Sequence, residues 1–323
     1  MKTPIVYNPV EPTDCEISKV IGDPTKNRKC RFCGRTIKDG ASFTNRSHAI
    51  SEGLGNHSVF CLDECDQCNA KFSTLEQSIV SFLNVSLCIY GIKGKPKKGK
   101  QDIRGIRTPL FDVNNSGNMM LFQFNTRNDN DMFVQLERKA KLDNFNISSE
   151  PKWNKYIPRD IFRSLSKYIV AIAKDEHLPI MQKTIQWINN GDEDVNDYNI
   201  ILFELPYVVH SPKMIYFISN QSHLGNVTIL GLFAIANIGF LYELPFTEEE
   251  TLLPKEIRKK ALCGICKSVC NGTAHPLDLN SANLHVIPVK FELSINDNME
   301  INKDYFVIDS KEEIGRILKS NNF

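Results

Sequence analysis

Four cysteines constrain this chain more than any other feature. Cys30 and Cys33 form one C-x-x-C pair, Cys65 and Cys68 form another, and roughly thirty residues lie between the pairs. Two such pairs are the usual ligand set of a closed tetrahedral zinc site. The alternative is four reduced cysteines in a core. In small zinc modules the ion supplies roughly 10 to 16 kcal/mol of apparent binding energy, enough to hold together a hairpin and helix too small to fold alone. Four thiolates leave no open coordination position, so this Zn2+ is expected to be structural and any catalysis must come from other residues.

The remaining cysteines agree with a metal-binding use. Of ten in 323 residues, seven fall in two clusters with C-x-x-C spacing instead of being scattered as in disulfide frameworks. In a reducing compartment that arrangement points to metal. The N-terminus carries no basic-then-apolar signal, and the longest apolar stretch, around Val227 to Phe240, is broken by Gly231, Asn237 and Gly239. A soluble, cytoplasmic protein with no membrane association is expected. With 39 basic against 38 acidic residues the net charge is only +1, which excludes a polycation that coats nucleic acid non-specifically. Any nucleic-acid site must be a local patch.

A hydrophobic share of 41% over this length supports a sizeable core in two or three units. The expected division is an extended N-terminal arm (1–27) with little function, a cysteine module (28–92), a mixed α/β accessory domain with a basic loop (93–255), and a C-terminal segment holding the second cysteine cluster (256–323). Leu75, Ile79, Phe82, Leu83 and Leu87 predict a helix over Ser73 to Tyr90, capped by Ser73 or Thr74 and ended by Gly91. Ile161, Leu165, Tyr168, Ile169 and Ile172 predict another over Pro158 to Lys174. Met119 to Phe124 and Met132 to Leu136 read as a hairpin. Ile200 to Leu205, Met214 to Ile218, Val227 to Ala236 and Phe240 to Leu244 read as strands of a mixed sheet, after a polar loop over Asn189 to Asp197.

Between the two cysteine pairs runs Ser47-His48-Ala-Ile-Ser-Glu-Gly-Leu-Gly-Asn56, and Asn69 follows the last cysteine, with Phe72 and Ser73 beyond it. In this order the elements resemble the zinc-containing branch of the HNH endonuclease family, whose pattern is C-x-x-C, H-x-I-P-E-x-L-G-N, C-x-x-C-N-x-x-F. The resemblance covers about residues 28 to 90. It implies an α+β chain: an N-terminal zinc-stapled ββα-metal (HNH) module followed by a larger mixed α/β region. It also implies that His48 is the general base that deprotonates the attacking water. Asn69 would help hold a catalytic Mg2+ or Mn2+ ion, with Ser47 as a further candidate ligand.

The chemistry fits these residue types. A phosphodiester under in-line attack gathers charge that a divalent ion neutralises, while an imidazole of ordinary pKa about 6.5 accepts a proton at neutral pH. The chain departs from the pattern in three places. Ser47, preceded by Arg46, stands where an acidic ligand is common, and Ser51 replaces the proline. The middle asparagine has no counterpart at the usual distance, so Asn56 or Asp63 would brace the histidine. His57 and Glu52 read as loop residues with some prospect of reaching phosphate or ion.

Beyond the module, Lys93, Lys95, Lys97, Lys98 and Lys100, with Arg104 and Arg107 after them, would suit phosphate-backbone contacts or form a solvated loop. Cys263, Cys266 and Cys270, near His275, make a second zinc site conceivable. The first expectation is an endonuclease acting on DNA, conceivably as a homodimer, of the kind found in restriction or phage defence. The alternatives are a catalytically inactive, zinc-stabilised nucleic-acid-binding module and an effector nuclease awaiting a partner or ligand.

Overall fold

The fold follows from a computed structural model that describes residues 7–10, 13–14, 19–22, 28–94, 104–108, 111–115, 120–124, 145–149, 155–219, 229–247, 254–270, 273–286, 291–295 and 306–308. It is a mixed α+β protein with several small sheets. Among the described residues there are four α-helices: α1 (Asp66–Ile89), α2 (Pro158–Ile172), α3 (Gln182–Asn190) and α4 (Lys255–Cys270). The chain forms two compact units that interleave, one from Met1–Val80 with Tyr156–His285, the other from Ser81–Lys155 with Val286–Phe323. Each unit is assembled from segments far apart in sequence.

In the first unit, the apolar spacing of α2 buries Ile161, Phe162, Leu165, Tyr168 and Ile169 at its centre. Phe162 meets Trp187 of α3 edge-on, with centroids 5.3 Å apart, and the Tyr242 hydroxyl donates to the Leu165 carbonyl (2.7 Å). The shorter α3 was not expected from the sequence. It buries Thr184, Ile185, Trp187 and Ile188 on one face and ends at Gly191, whose φ of +72° is one that side chains with a Cβ rarely adopt. Arg163 covers the same end, donating to the carbonyls of Ile188 and Asn189.

The sheet of this unit is built on two long antiparallel strands, Ile200–Ser219 and Ile229–Glu243, where four shorter strands were expected. Pro206 and Pro212 interrupt the apolar pattern without ending the strand. The register shifts between Glu204 and Val209 and again between Val209 and Lys213, so the prolines sit where ladder hydrogen bonds are already lost. Ala274–Pro276 pairs with Ile201–Phe203, and Tyr7–Pro9 and Thr13–Asp14 pair with the distal part of the same long strand. Lys19–Ile21 runs parallel to Val59–Cys61. The described parts of the N-terminal segment thus pair with strands of the fold.

The second unit holds the end of α1 from Ser81, and its sheet joins Arg104–Arg107, Phe111–Asn115, Met120–Phe124 and Phe306–Ile308 in antiparallel order. Met120–Phe124 pairs along one edge with Phe111–Asn115 and, over its first three residues, with Phe306–Ile308 on the other; Met132 to Leu136, the expected hairpin partner, lies outside the described residues. Asn115 donates to the Cys88 (2.8 Å) and Ile89 (2.9 Å) carbonyls, closing the end of α1. Phe145–Ser149 pairs with Phe291–Ile295 in a further small ladder.

Candidate metal centre and active site

Cys30 and Cys33 lie on a turn closed by Gly34 N–H on the Cys30 carbonyl (2.8 Å) and Cys30 N–H on the Arg35 carbonyl (2.9 Å). Cys65 immediately precedes α1 and Cys68 lies in its first turn, so the helix start presents the second pair. The four Sγ atoms lie within 4.8 Å of one another. Across the pairs, Cys30 to Cys68 and Cys33 to Cys65 are each 3.7 Å. Zinc–thiolate bonds of about 2.3 Å in a tetrahedron separate sulfurs by about 3.8 Å. The cluster therefore has the dimensions to hold a metal ion such as zinc.

Its electrostatics agree. Arg35 Nε donates to Cys33 Sγ (3.4 Å) and Cys65 N–H to Cys30 Sγ (3.5 Å). The hydrogen bond between Cys30 and Cys68 pulls Cys30 down to about 4, against its burial. Burial pushes Cys65 up to about 11, and the bond to Cys30 raises Cys68 as well. A dication bound here would displace the protons that the thiols carry.

Between the pairs the chain folds back on itself. His48 sits opposite Phe60 in an antiparallel bridge, flanked by Ala49 N–H on the Val59 carbonyl (3.1 Å) and Cys61 N–H on the Ser47 carbonyl (2.8 Å). Side chains alternate across this hairpin. Ser47 and Ala49 face inward, Arg46 is exposed and His48 is half-buried. The imidazole leans on the Phe60 ring, centroids 4.7 Å apart, and its Nε2 lies 3.7 Å from a Glu52 carboxylate oxygen. The His48–Phe60 bridge, the strand Val59–Cys61, the second cysteine pair and α1 follow one another along the chain.

Alternation also corrects the expectation for Ser47. Its hydroxyl is buried and donates to the Glu64 carbonyl (3.2 Å), so it is turned away from any ion beside His48. Asn56 is likewise turned to the backbone. Its amide donates to the Ile50 (2.7 Å) and Val59 (2.9 Å) carbonyls and accepts from the backbone N–H groups of Ser58 (3.2 Å) and Val59 (2.9 Å). Two donors and two acceptors exhaust an amide, so Asn56 braces the loop backbone and has nothing left for substrate. Asp63, the other candidate brace, pairs with Arg31 at 3.2 Å.

Asn69 is half-buried in the first turn of α1, which begins earlier than expected, and its N–H already bonds the Cys65 carbonyl (2.9 Å). It is inside the helix and does not cap it. Asp66 anchors the helix start instead: its carboxylate accepts from Ser42 Oγ (2.5 Å), from Thr44 through N–H (3.0 Å) and hydroxyl (2.7 Å), and from Asn45 N–H (2.9 Å). Burial raises the Asp66 pKa, but these bonds outweigh it and hold the carboxyl well below its usual range. His57 is exposed.

Sequence reasoning missed Lys167. It projects from α2 into the hairpin, where its fully buried ammonium donates to the carbonyls of His48 (3.1 Å) and Ala49 (3.4 Å) and pairs with Glu64 (3.2 Å) and Glu76 (3.1 Å). Burial pushes the Glu64 carboxyl up to about 7 even with Lys167 beside it. The signal available was one lysine inside the apolar run Leu165 to Ile172. Arg31 makes a parallel tie from the first cysteine turn, donating to the Val170 (2.9 Å), Ala171 (3.2 Å) and Ala173 (3.1 Å) carbonyls at the end of α2.

No family model, curated protein or solved structure matches this chain. The site is read from its own geometry.

Two further expectations change. Arg104 is buried and its Nε donates to the Ile92 carbonyl (2.6 Å), so it supports its own unit and is not a phosphate contact. Lys93 is exposed, while Lys95, Lys97, Lys98 and Lys100 lie outside the described residues. The second cysteine cluster is on α4 and not on a turn. Cys266 packs among Ile201, Phe203, Leu230, Leu241 and Leu262, with Cys263 at the edge of that cluster. Among the described residues, which leave out the Cys270 side chain, the one group of three or more His, Cys, Asp or Glu placed to share an ion is the Cys30 set; Cys263, Cys266 and His275 form none.

Proposed function

We propose that this chain is a metal-dependent HNH-type endonuclease that hydrolyses phosphodiester bonds of DNA. His48 acts as general base and a structural zinc rests on Cys30, Cys33, Cys65 and Cys68. The observation that carries this reading is a histidine bridged back onto Phe60, bracketed in sequence by four cysteines whose sulfurs lie within 4.8 Å of one another, with a helix starting at the second pair. The structural zinc would fix the two ends of the hairpin segment, and Lys167 fixes its middle.

The imidazole takes the proton from the attacking water. Phe60 limits the ring from one face; Nδ1 is buried, which leaves Nε2, with a Glu52 carboxylate oxygen 3.7 Å away, as the nitrogen to take the proton. A bound Mg2+ or Mn2+ would neutralise charge on the phosphate and leaving oxygen. Of the expected donors Ser47 does not fit; Glu52 is the carboxylate at hand, with Asn69 following the second pair. A hard ion held by so few protein groups keeps several waters.

The inward turn of Ser47 and the fully engaged amide of Asn56 favour a second reading, a zinc-stabilised nucleic-acid-binding module without catalysis. Incubating supercoiled plasmid with the zinc-loaded chain, with and without magnesium or manganese, separates the two. The first reading expects metal-dependent nicking that yields 5′-phosphate ends. DNA retention without cutting at any metal concentration would leave the second.

A further inference from the structure

We propose that Arg46 seats the nucleic-acid phosphate beside His48, using Phe60 as a platform; this rests on the endonuclease reading. The Arg46 guanidinium lies 3.7 Å from the Phe60 ring centroid, and the His48 imidazole lies against the same ring at 4.7 Å. Cation and imidazole are therefore no farther apart than those two lengths laid end to end. The hairpin alternation explains the pairing, since residues 46 and 48 share its outer face while Ser47 between them is buried.

Three features favour a phosphate as the occupant. Stacking on an aromatic face occupies the plane of a guanidinium and leaves its edge, with the N–H donors, pointing outward in a fork that matches phosphate oxygens. The stretch before Arg46 is held still, because Thr44 and Asn45 are bonded to the Asp66 carboxylate, so the arginine is presented from an anchored backbone. No described residue forms an ion pair with Arg46, although it is exposed in a chain whose charges otherwise balance. The anion that this site lacks is the one a phosphodiester brings. Where an acidic ligand is common in the resembled pattern, the chain then offers a cation one residue earlier, and the scissile phosphate is held partly by protein.

The test uses the full zinc-loaded chain and a fluorescently labelled 20-base-pair duplex, with binding followed by anisotropy over a series of NaCl concentrations and no added magnesium or manganese. Arg46→Ala should weaken binding and reduce the slope of log affinity against log salt by about 1, the signature of one lost phosphate contact. Arg46→Lys should keep the slope, and Lys38→Ala, which removes an equally exposed charge from the same module, should bind like the parent. Zinc content of one per chain in each variant verifies the fold. Binding by the parent with an unchanged slope in Arg46→Ala would overturn the assignment while leaving the nuclease reading standing. Failure of the parent to bind any duplex would overturn both.

Discussion

Replacing Lys167 with methionine should destabilise the first unit by about 3 to 5 kcal/mol, the range for removing one partner of a buried ion pair. The structure supports the upper part of that range. One ammonium serves two buried carboxylates, Glu64 at 3.2 Å and Glu76 at 3.1 Å, and two backbone carbonyls, His48 at 3.1 Å and Ala49 at 3.4 Å. Methionine fills a similar volume but leaves two carboxylates facing each other without a cation. Replacing the whole triad, as Lys167→Met with Glu64→Leu and Glu76→Leu, should recover most of the loss, since a buried ion cluster exchanged for apolar groups is often neutral or stabilising. Urea denaturation with zinc held in excess measures both. Trp187 is a buried reporter in this unit, and a Trp153→Phe background isolates its fluorescence. A single mutant within about 1 kcal/mol of the parent, the median for an exposed pair, would refute the argument that this ammonium is desolvated and shared.

Other consequences follow from the same contacts. Asn56→Ala should cost about 2 to 4 kcal/mol, because four backbone groups lose a partner in a closed loop, and the same urea titration reads it. Stripping metal with a chelator should remove one zinc per chain and release the Cys30–Cys68 hairpin, seen as new protease cleavage within residues 28–72; a chain that resists chelation with unchanged protection would count against a structural ion. Burial lowers the pKa of His177, whose Nδ1 lies 2.8 Å from the Tyr216 hydroxyl. A depressed folded-state value contributes stability above the unfolded pKa of about 6.5, lost as pH falls through the folded value. Denaturation midpoints should therefore fall more for the parent than for His177→Phe between about pH 8 and pH 5, and parallel curves would contradict the shift.

The parts legible in the sequence were those written in local spacing. Two cysteine pairs and the run around His48 specify short turns, and the three-and-four spacing of Ile161, Leu165, Tyr168 and Ile169 specifies α2, because neighbours along the chain carry the pattern. Periodicity failed where another signal overlay it. In α4 the C-x-x-C letters read as part of a second zinc site, yet Leu262 and Cys266 are one helical turn apart and both buried. In the long strand Ile200–Ser219, the apolar runs on either side of Pro206 and Pro212 read as separate strands, where the structure has register shifts.

Side-chain direction at the site was not legible from composition. Ser47 and Asn56 were chosen for the groups they carry, and each spends those groups on backbone. Alternation from His48 would have placed Ser47 inward had the hairpin pairing been known. Lys167 could not be connected to His48 at all, since 119 residues separate them and only the packing of α2 against the hairpin brings them together.

The central claim is that His48 performs the proton transfer in phosphodiester cleavage. The most direct measurement is the rate of plasmid nicking by His48→Ala against the parent at saturating magnesium or manganese, with zinc content and urea midpoint matched. The account predicts a loss of about 100-fold or more, the contribution of a positioned general base. Cutting by His48→Ala at the rate of the parent would contradict it.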